Sequence, residues 1–137
     1  MGYIANTDVL NYEELLNETV DNDGDPDYTL LEYFVTQSDR AVESLAINKG
    51  YYDDITEPVH YDIFLFAIAV VCRDYLRRLS GVDGSDLDVS DDRYFVKYKE
   101  YQKLVREQEK KITKYMFGGT ATTQEYTATS GRIIPSG

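Results

Sequence analysis

The chain has 137 residues and a formal net charge of −11, a length that suits one domain able to bury about two-thirds of its unfolded surface. Its 42% apolar content separates it from disordered chains, and its longest apolar run, Ile63 to Cys72, is too short to cross a bilayer. Residues 1–92 carry 21 acidic against five basic side chains, so this body would repel nucleic-acid phosphates.

A first helix is expected over Thr7 to Val20, where Asn11 followed by Glu14 resembles a cap and its partner three residues on. The Asp-rich stretch Asp21 to Asp27 reads as a loop. In the second helix Asp25 is the expected cap and Pro26 the first position. Leu30, Leu31, Phe34, Val35, Ala41, Val42, Leu45 and Ala46 then follow helical spacing, and Gly50 is a natural stop. After a loop over Tyr51 to Val59, a third helix is expected to about Leu79. Ile63 to Cys72 is apolar on every face, as in a helix buried all round. A second acidic loop runs from Gly81 to Asp92. The fourth helix is expected from about Asp91 to Phe117, with a single seam of Tyr94, Tyr98, Tyr101, Val105, Gln108, Ile112 and Tyr115. Gly118 and Gly119 end it. The fold class is all-α, a bundle of about four helices over residues 1–117 with an extended C-terminal arm over 118–137. Within that arm, Ile133 and Ile134 between Arg132 and Pro135 are the only strongly apolar spot.

Sites of chemistry are sparse. Asp21, Asp23, Asp25, Thr29 and Glu32 land on calcium-loop positions, but the turn position that needs glycine holds Pro26, whose φ is locked near −65°. Asp83, Asp86, Asp88, Asp91 and Asp92 lack a ligand spacing and read as a solvated acidic loop. His60 is the only histidine and has no nucleophile motif nearby; Cys72 is the only cysteine and reads as a small buried hydrophobe. No catalytic residue, metal site or cofactor is expected, and the chain does not read as an enzyme. The N-terminal MGYIANT has no apolar signal core, which points to a soluble intracellular product without a membrane segment.

Charge distribution is more telling. Residues 93–117 hold eight basic against three acidic side chains, a net of +5 beside the −16 of residues 1–92. Lys97, Lys103, Arg106, Lys110 and Lys114 are expected to form a basic subunit-interface face meeting the acidic face of another copy. An acidic surface could also line a channel that DNA passes without sticking. The 13 tyrosines, with no tryptophan, suit such interfaces, because each buries a ring while keeping a wet polar tip.

The order of these elements resembles the head–tail connector (adaptor or neck) proteins of tailed bacteriophages. The likeness covers about residues 25–119: DPDYTLLEYFVTQSDRAVESL, then EPVHYDIFLFAIAVVCRDYLRRL, then YFVKYKEYQKLVREQEKKITKYMFGG. The spacer GGTATTQEYTATSG and the very acidic first half depart from it. The resemblance implies a structural virion protein, made in the host cytoplasm, whose copies, commonly twelve, form a ring. That ring would sit on the portal protein, contact a tail or further neck protein, and extend the DNA channel. It also implies that the C-terminal arm reaches the portal or a neighbouring subunit. Arg132, Ile133, Ile134 and Pro135 would be its contact residues, with Arg132 pairing a carboxylate and the isoleucines filling small pockets. A second reading of the acidic half is an inhibitor or DNA mimic that occupies a nucleic-acid-binding partner.

Overall fold

The computed structural model describes residues 2–17, 21, 22, 25, 26, 28–80 and 92–118. They form an all-α bundle with five helices: α1 (Asn6–Tyr12), α2 (Thr29–Asn48), α3 (Tyr61–Ser80), α4 (Asp92–Lys111) and α5 (Lys114–Phe117). A 3-10 turn, Glu14–Leu16, follows α1, and β1 (Asp21–Asn22) pairs antiparallel with β2 (Asp25–Pro26).

Helix α3 is the centre of the molecule. Its apolar run cannot offer a polar face to water, so α2, α4 and α1 all pack on it. Ile63, Ala67, Ile68, Ala69, Val71, Cys72 and Leu76 are completely buried. Helix α2 adds Leu31, Val35, Val42, Leu45 and Ala46, and stops at Gly50 as the sequence predicts. Gly50 has φ of 92°, in the left-handed region that glycine enters without steric cost. The Tyr51 N–H then donates to the Ala46 carbonyl at 2.9 Å and Gly50 N–H to Ile47 at 3.0 Å, satisfying the last carbonyls of the helix.

Three helix boundaries differ from expectation. In α1 the cap is at Ala5, where the Asp8 carboxylate accepts from the Ala5 N–H at 2.8 Å. Asn11 lies inside the helix, which ends at Tyr12. Asp25 and Pro26 belong to a two-residue ladder, Asp21 opposite Pro26 and Asn22 opposite Asp25. Pairing holds them in extended backbone, so α2 starts three residues later at Thr29, with the Glu32 N–H bonded to the Tyr28 carbonyl at 2.7 Å.

The fourth predicted helix is broken at Ile112 and Thr113, where Thr113 takes an extended conformation (φ −112°, ψ 162°). The cause is tertiary. Thr56 donates from its N–H to the Phe117 carbonyl and from its hydroxyl to the Gly118 carbonyl, both at 2.9 Å. Tyr51 stacks on Phe117 with ring centres 5.8 Å apart. The bend carries Phe117 into the core (0% exposed) and leaves Tyr115 outside (64% exposed). The rest of the predicted seam turns inward: Tyr101, Val105, Gln108 and Ile112 are buried, and Tyr94 and Tyr98 half-buried.

Candidate interaction surfaces

The five cations expected to share one face of the last helix do not share one surface. Lys97 lies four residues before buried Tyr101, on the inward half of α4. Its ammonium sits 3.3 Å from a Glu13 carboxylate oxygen. Lys114 is carried by α5, beyond the break, with its ammonium 5.6 Å from the Tyr115 ring centre. There it lines a 370 Å³ groove with Gly50, Tyr51, Tyr52, Asp53 and Gly118. Lys103, Arg106 and Lys110 remain together and exposed. Lys99 completes their row at helical positions i, i+4, i+7 and i+11. The row lies on the side of α4 opposite Tyr101, Val105 and Gln108, and extends about 16 Å at 1.5 Å per residue. Lys103 is loosely neighboured by Glu107 at 4.0 Å. The arm residues Arg132, Ile133, Ile134 and Pro135 lie outside the described residues.

A buried polar cluster joins the N-terminal turn to α4. Chain direction changes at Glu13 (φ −124°, ψ 93°), which turns its side chain inward. Only 6% of Glu13 is exposed. The Tyr101 hydroxyl donates to Glu13 Oε1 at 2.7 Å, and the Leu15 N–H donates to Oε2 at 3.2 Å. With Lys97 this satisfies a carboxylate that could not otherwise be buried. Cys72 lies against the same group. Burial raises both the Cys72 thiol and the Tyr101 phenol well above their ordinary values, which leaves the thiol protonated and inert. Separation of 88 residues between Glu13 and Tyr101 left no sequence signal for their pairing. Lys97, by contrast, was placeable from its spacing to Tyr94 and Tyr101.

A second group ties α3 to the end of α4. Gln108, buried, donates from Nε2 to the Asp62 carbonyl at 3.1 Å, and Lys111 lies 3.8 Å from the Asp62 carboxylate. His60 Nδ1 accepts from the Asp62 N–H at 3.0 Å, so in this arrangement the ring proton is on Nε2 and His60 is neutral. Burial lowers its pKa, against the opposing pull of Asp62. Among the described residues no group of three His, Cys, Asp or Glu side chains is placed to hold a metal ion, and no helix is long and apolar enough to cross a membrane.

The N-terminal segment lies along α2. The Tyr3 N–H donates to Asp39 Oδ1 at 3.0 Å, the Tyr3 hydroxyl to Glu43 Oε2 at 3.0 Å, and Asn6 Nδ2 to Glu32 Oε2 at 3.4 Å. Burial, with Glu43 beside it, pushes the Tyr3 phenol up to about 12. A Cβ at Gly2 would come within 2.7 Å of Asp39 Oδ2, so glycine permits this close approach. Asp39 is shifted upward, chiefly by burial and against the Tyr3 hydrogen bond. Comparison of the chain with protein-family models, characterised proteins and solved structures returned no match.

Proposed function

We propose that this chain is a structural assembly subunit, a head–tail connector of a tailed phage whose copies form a ring on the portal protein and extend the DNA channel toward the tail. The observation that carries this reading is the outward row of cations on α4 in a chain whose net charge is −11. Two of its members, Arg106 and Lys110, engage no carboxylate within the chain in any ion pair among the described residues. A surface of one sign on a body of the other favours identical copies meeting head to tail. In this reading Arg132 to Pro135 supply the contact to the portal or a neighbour, and ring geometry multiplies weak individual arms. The buried cluster around Glu13 is scaffolding that holds α4 in place.

Sedimentation velocity of the full chain, alone and with the portal protein from the genome that encodes it, tests the proposal. Ring-sized complexes that weaken on removal of residues 119–137 are expected. Indifference to portal would sink it. Competition with duplex DNA for a basic partner would point instead to the acidic mimic.

A further inference from the structure

The cationic row on α4 has a counterpart on the same chain. On α2, Glu32, Asp39 and Glu43 stand at positions i, i+7 and i+11, with Thr36 at i+4. Lys99, Lys103, Arg106 and Lys110 have the same spacing. Both rows therefore run as straight strips of equal length along their helices. Glu32 and Glu43 are exposed, and Asp39 is partly exposed. The hydrogen bonds these carboxylates accept come from neutral donors, the Tyr3 N–H, the Tyr3 hydroxyl and the Asn6 amide. Among the described residues no cation forms an ion pair with Glu32 or Glu43, so their negative charge is ordered rather than cancelled.

A single chain cannot join its own two strips. Ala41, Ser44, Leu45 and Asn48 of α2 line a groove shared with Val105 and Glu109 of α4, and Lys49 donates to the Glu109 carbonyl at 2.6 Å. That is the side of α2 facing α4. By helical periodicity Glu32, Asp39 and Glu43 lie on the other side. Each strip is also bordered by exposed apolar side chains: Phe95 and Val96 beside the cations, Tyr33 and Ile47 beside the carboxylates, all 40–57% exposed. An apolar centre edged by charge is the composition of a protein interface.

We infer that the Lys99–Lys103–Arg106–Lys110 strip of one copy docks on the Glu32–Asp39–Glu43 strip of the next, a heterologous contact between two different surfaces of the same chain. It rests on the assembly reading above and specifies where the copies meet. A heterologous contact generates a ring when its rotation closes. Matched spacing fixes the register: Lys99 and Lys110 oppose the two end carboxylates Glu32 and Glu43 while one middle cation opposes Asp39, and a slip by one turn breaks an end pair.

Charge exchange between two variants tests it. One carries Lys99→Glu and Lys110→Glu; the other carries Glu32→Lys and Glu43→Lys, so that the exchanged charges are the ones that face each other at the two ends of the strips. Each alone should self-associate at least about tenfold more weakly than the wild type, since like charges now face each other. An equimolar mixture should regain wild-type association, because each variant offers the strip the other needs. Circular dichroism and thermal melting of each variant check that it folds. Wild-type association that persists in both single variants would overturn the inference and leave the assembly reading standing, with the interface elsewhere. Both would fall if the folded wild type stayed monomeric at low salt and with portal present. Failure of the mixture to recover, with both variants folded, also overturns the pairing.

Discussion

Replacing Tyr101 with phenylalanine isolates the bond that fastens α4 to the N-terminal turn. The ring stays, so apolar burial is unchanged; what disappears is the hydroxyl that donates to Glu13 Oε1 at 2.7 Å. Glu13 then keeps the Leu15 N–H and Lys97, and its side chain is only 7% exposed. Hydrogen bonds to charged groups contribute about 1.5–3 kcal/mol, more than neutral ones, so a loss of about 2 kcal/mol is expected. At about 2.1 cal/mol/K per residue, unfolding 137 residues has an entropy of about 0.29 kcal/mol/K. The melting temperature should therefore fall by about 7 °C. Tyr98→Phe is the internal control. Its hydroxyl is half-buried and accepts from the neutral Gln102 amide at 3.2 Å, so its loss should cost about 0.5 kcal/mol or less. Urea unfolding followed by circular dichroism measures both. A Tyr101→Phe cost equal to that of Tyr98→Phe would refute the view that the buried carboxylate depends on this hydroxyl.

The chain's single histidine gives one imidazole signal. Its NMR titration should fall below the ordinary 6.5, because burial lowers the pKa. The unfolded state then takes the proton first, so stability contributed by neutral His60 should be lost as pH falls from 6.5 toward the folded-state value, and His60→Gln should flatten that slope. Asp39 has the opposite linkage. Its folded pKa is raised above the ordinary 3.8, so the native state binds the proton more tightly and stability should fall as pH rises through that window; Asp39→Asn should remove this decline. Cys72, completely buried and shifted upward, should resist a thiol reagent at pH 8 until the protein unfolds. A stoichiometric reaction with the folded protein would contradict its placement. Ile68→Ala, at a completely buried position on α3, should cost about 2–5 kcal/mol in the same urea assay.

What the sequence reveals depends on how locally each feature is decided. Helix α3 is legible because ten apolar residues followed by Tyr75, Leu76 and Leu79 continue helical spacing beyond the length of a strand. The end of α2 is legible because Gly50 meets a local conformational need. The start of α2 is not, because Asp25 and Pro26 suit both a helix start and a ladder terminus, and pairing with Asp21 and Asn22 selects the ladder. The break at Ile112 and Thr113 is hidden by a seam whose rhythm continues unbroken to Tyr115; only the distant Thr56 and Tyr51 contacts set it. On α4, charge alone brings out Lys103, Arg106 and Lys110, which share one exposed side of the helix. Position around the helix relative to the buried seam decides the others: Lys99 falls on that exposed side and Lys97 on the inward one.

The proposed docking of one strip on the other bears on what kind of assembly it would build. Exposed ion pairs contribute about 0.2–1 kcal/mol each, so a row of three cannot hold a stable complex unaided, and salt weakens it over a Debye length of about 8 Å at physiological ionic strength. Affinity in such a contact must come from the apolar margins, Phe95 and Val96 against Tyr33 and Ile47. The charges then set orientation and register and speed encounter. A pairwise contact of this kind is weak in isolation, yet each copy in a closed ring makes it twice, once through each strip. Closure therefore stabilises every subunit without any new type of contact. This predicts a sharp onset of assembly with concentration, little dimer at intermediate concentrations, and an onset that moves upward with added salt. A dimer that is abundant at every concentration and indifferent to salt would instead require an isologous apolar contact, which the opposed strips do not provide.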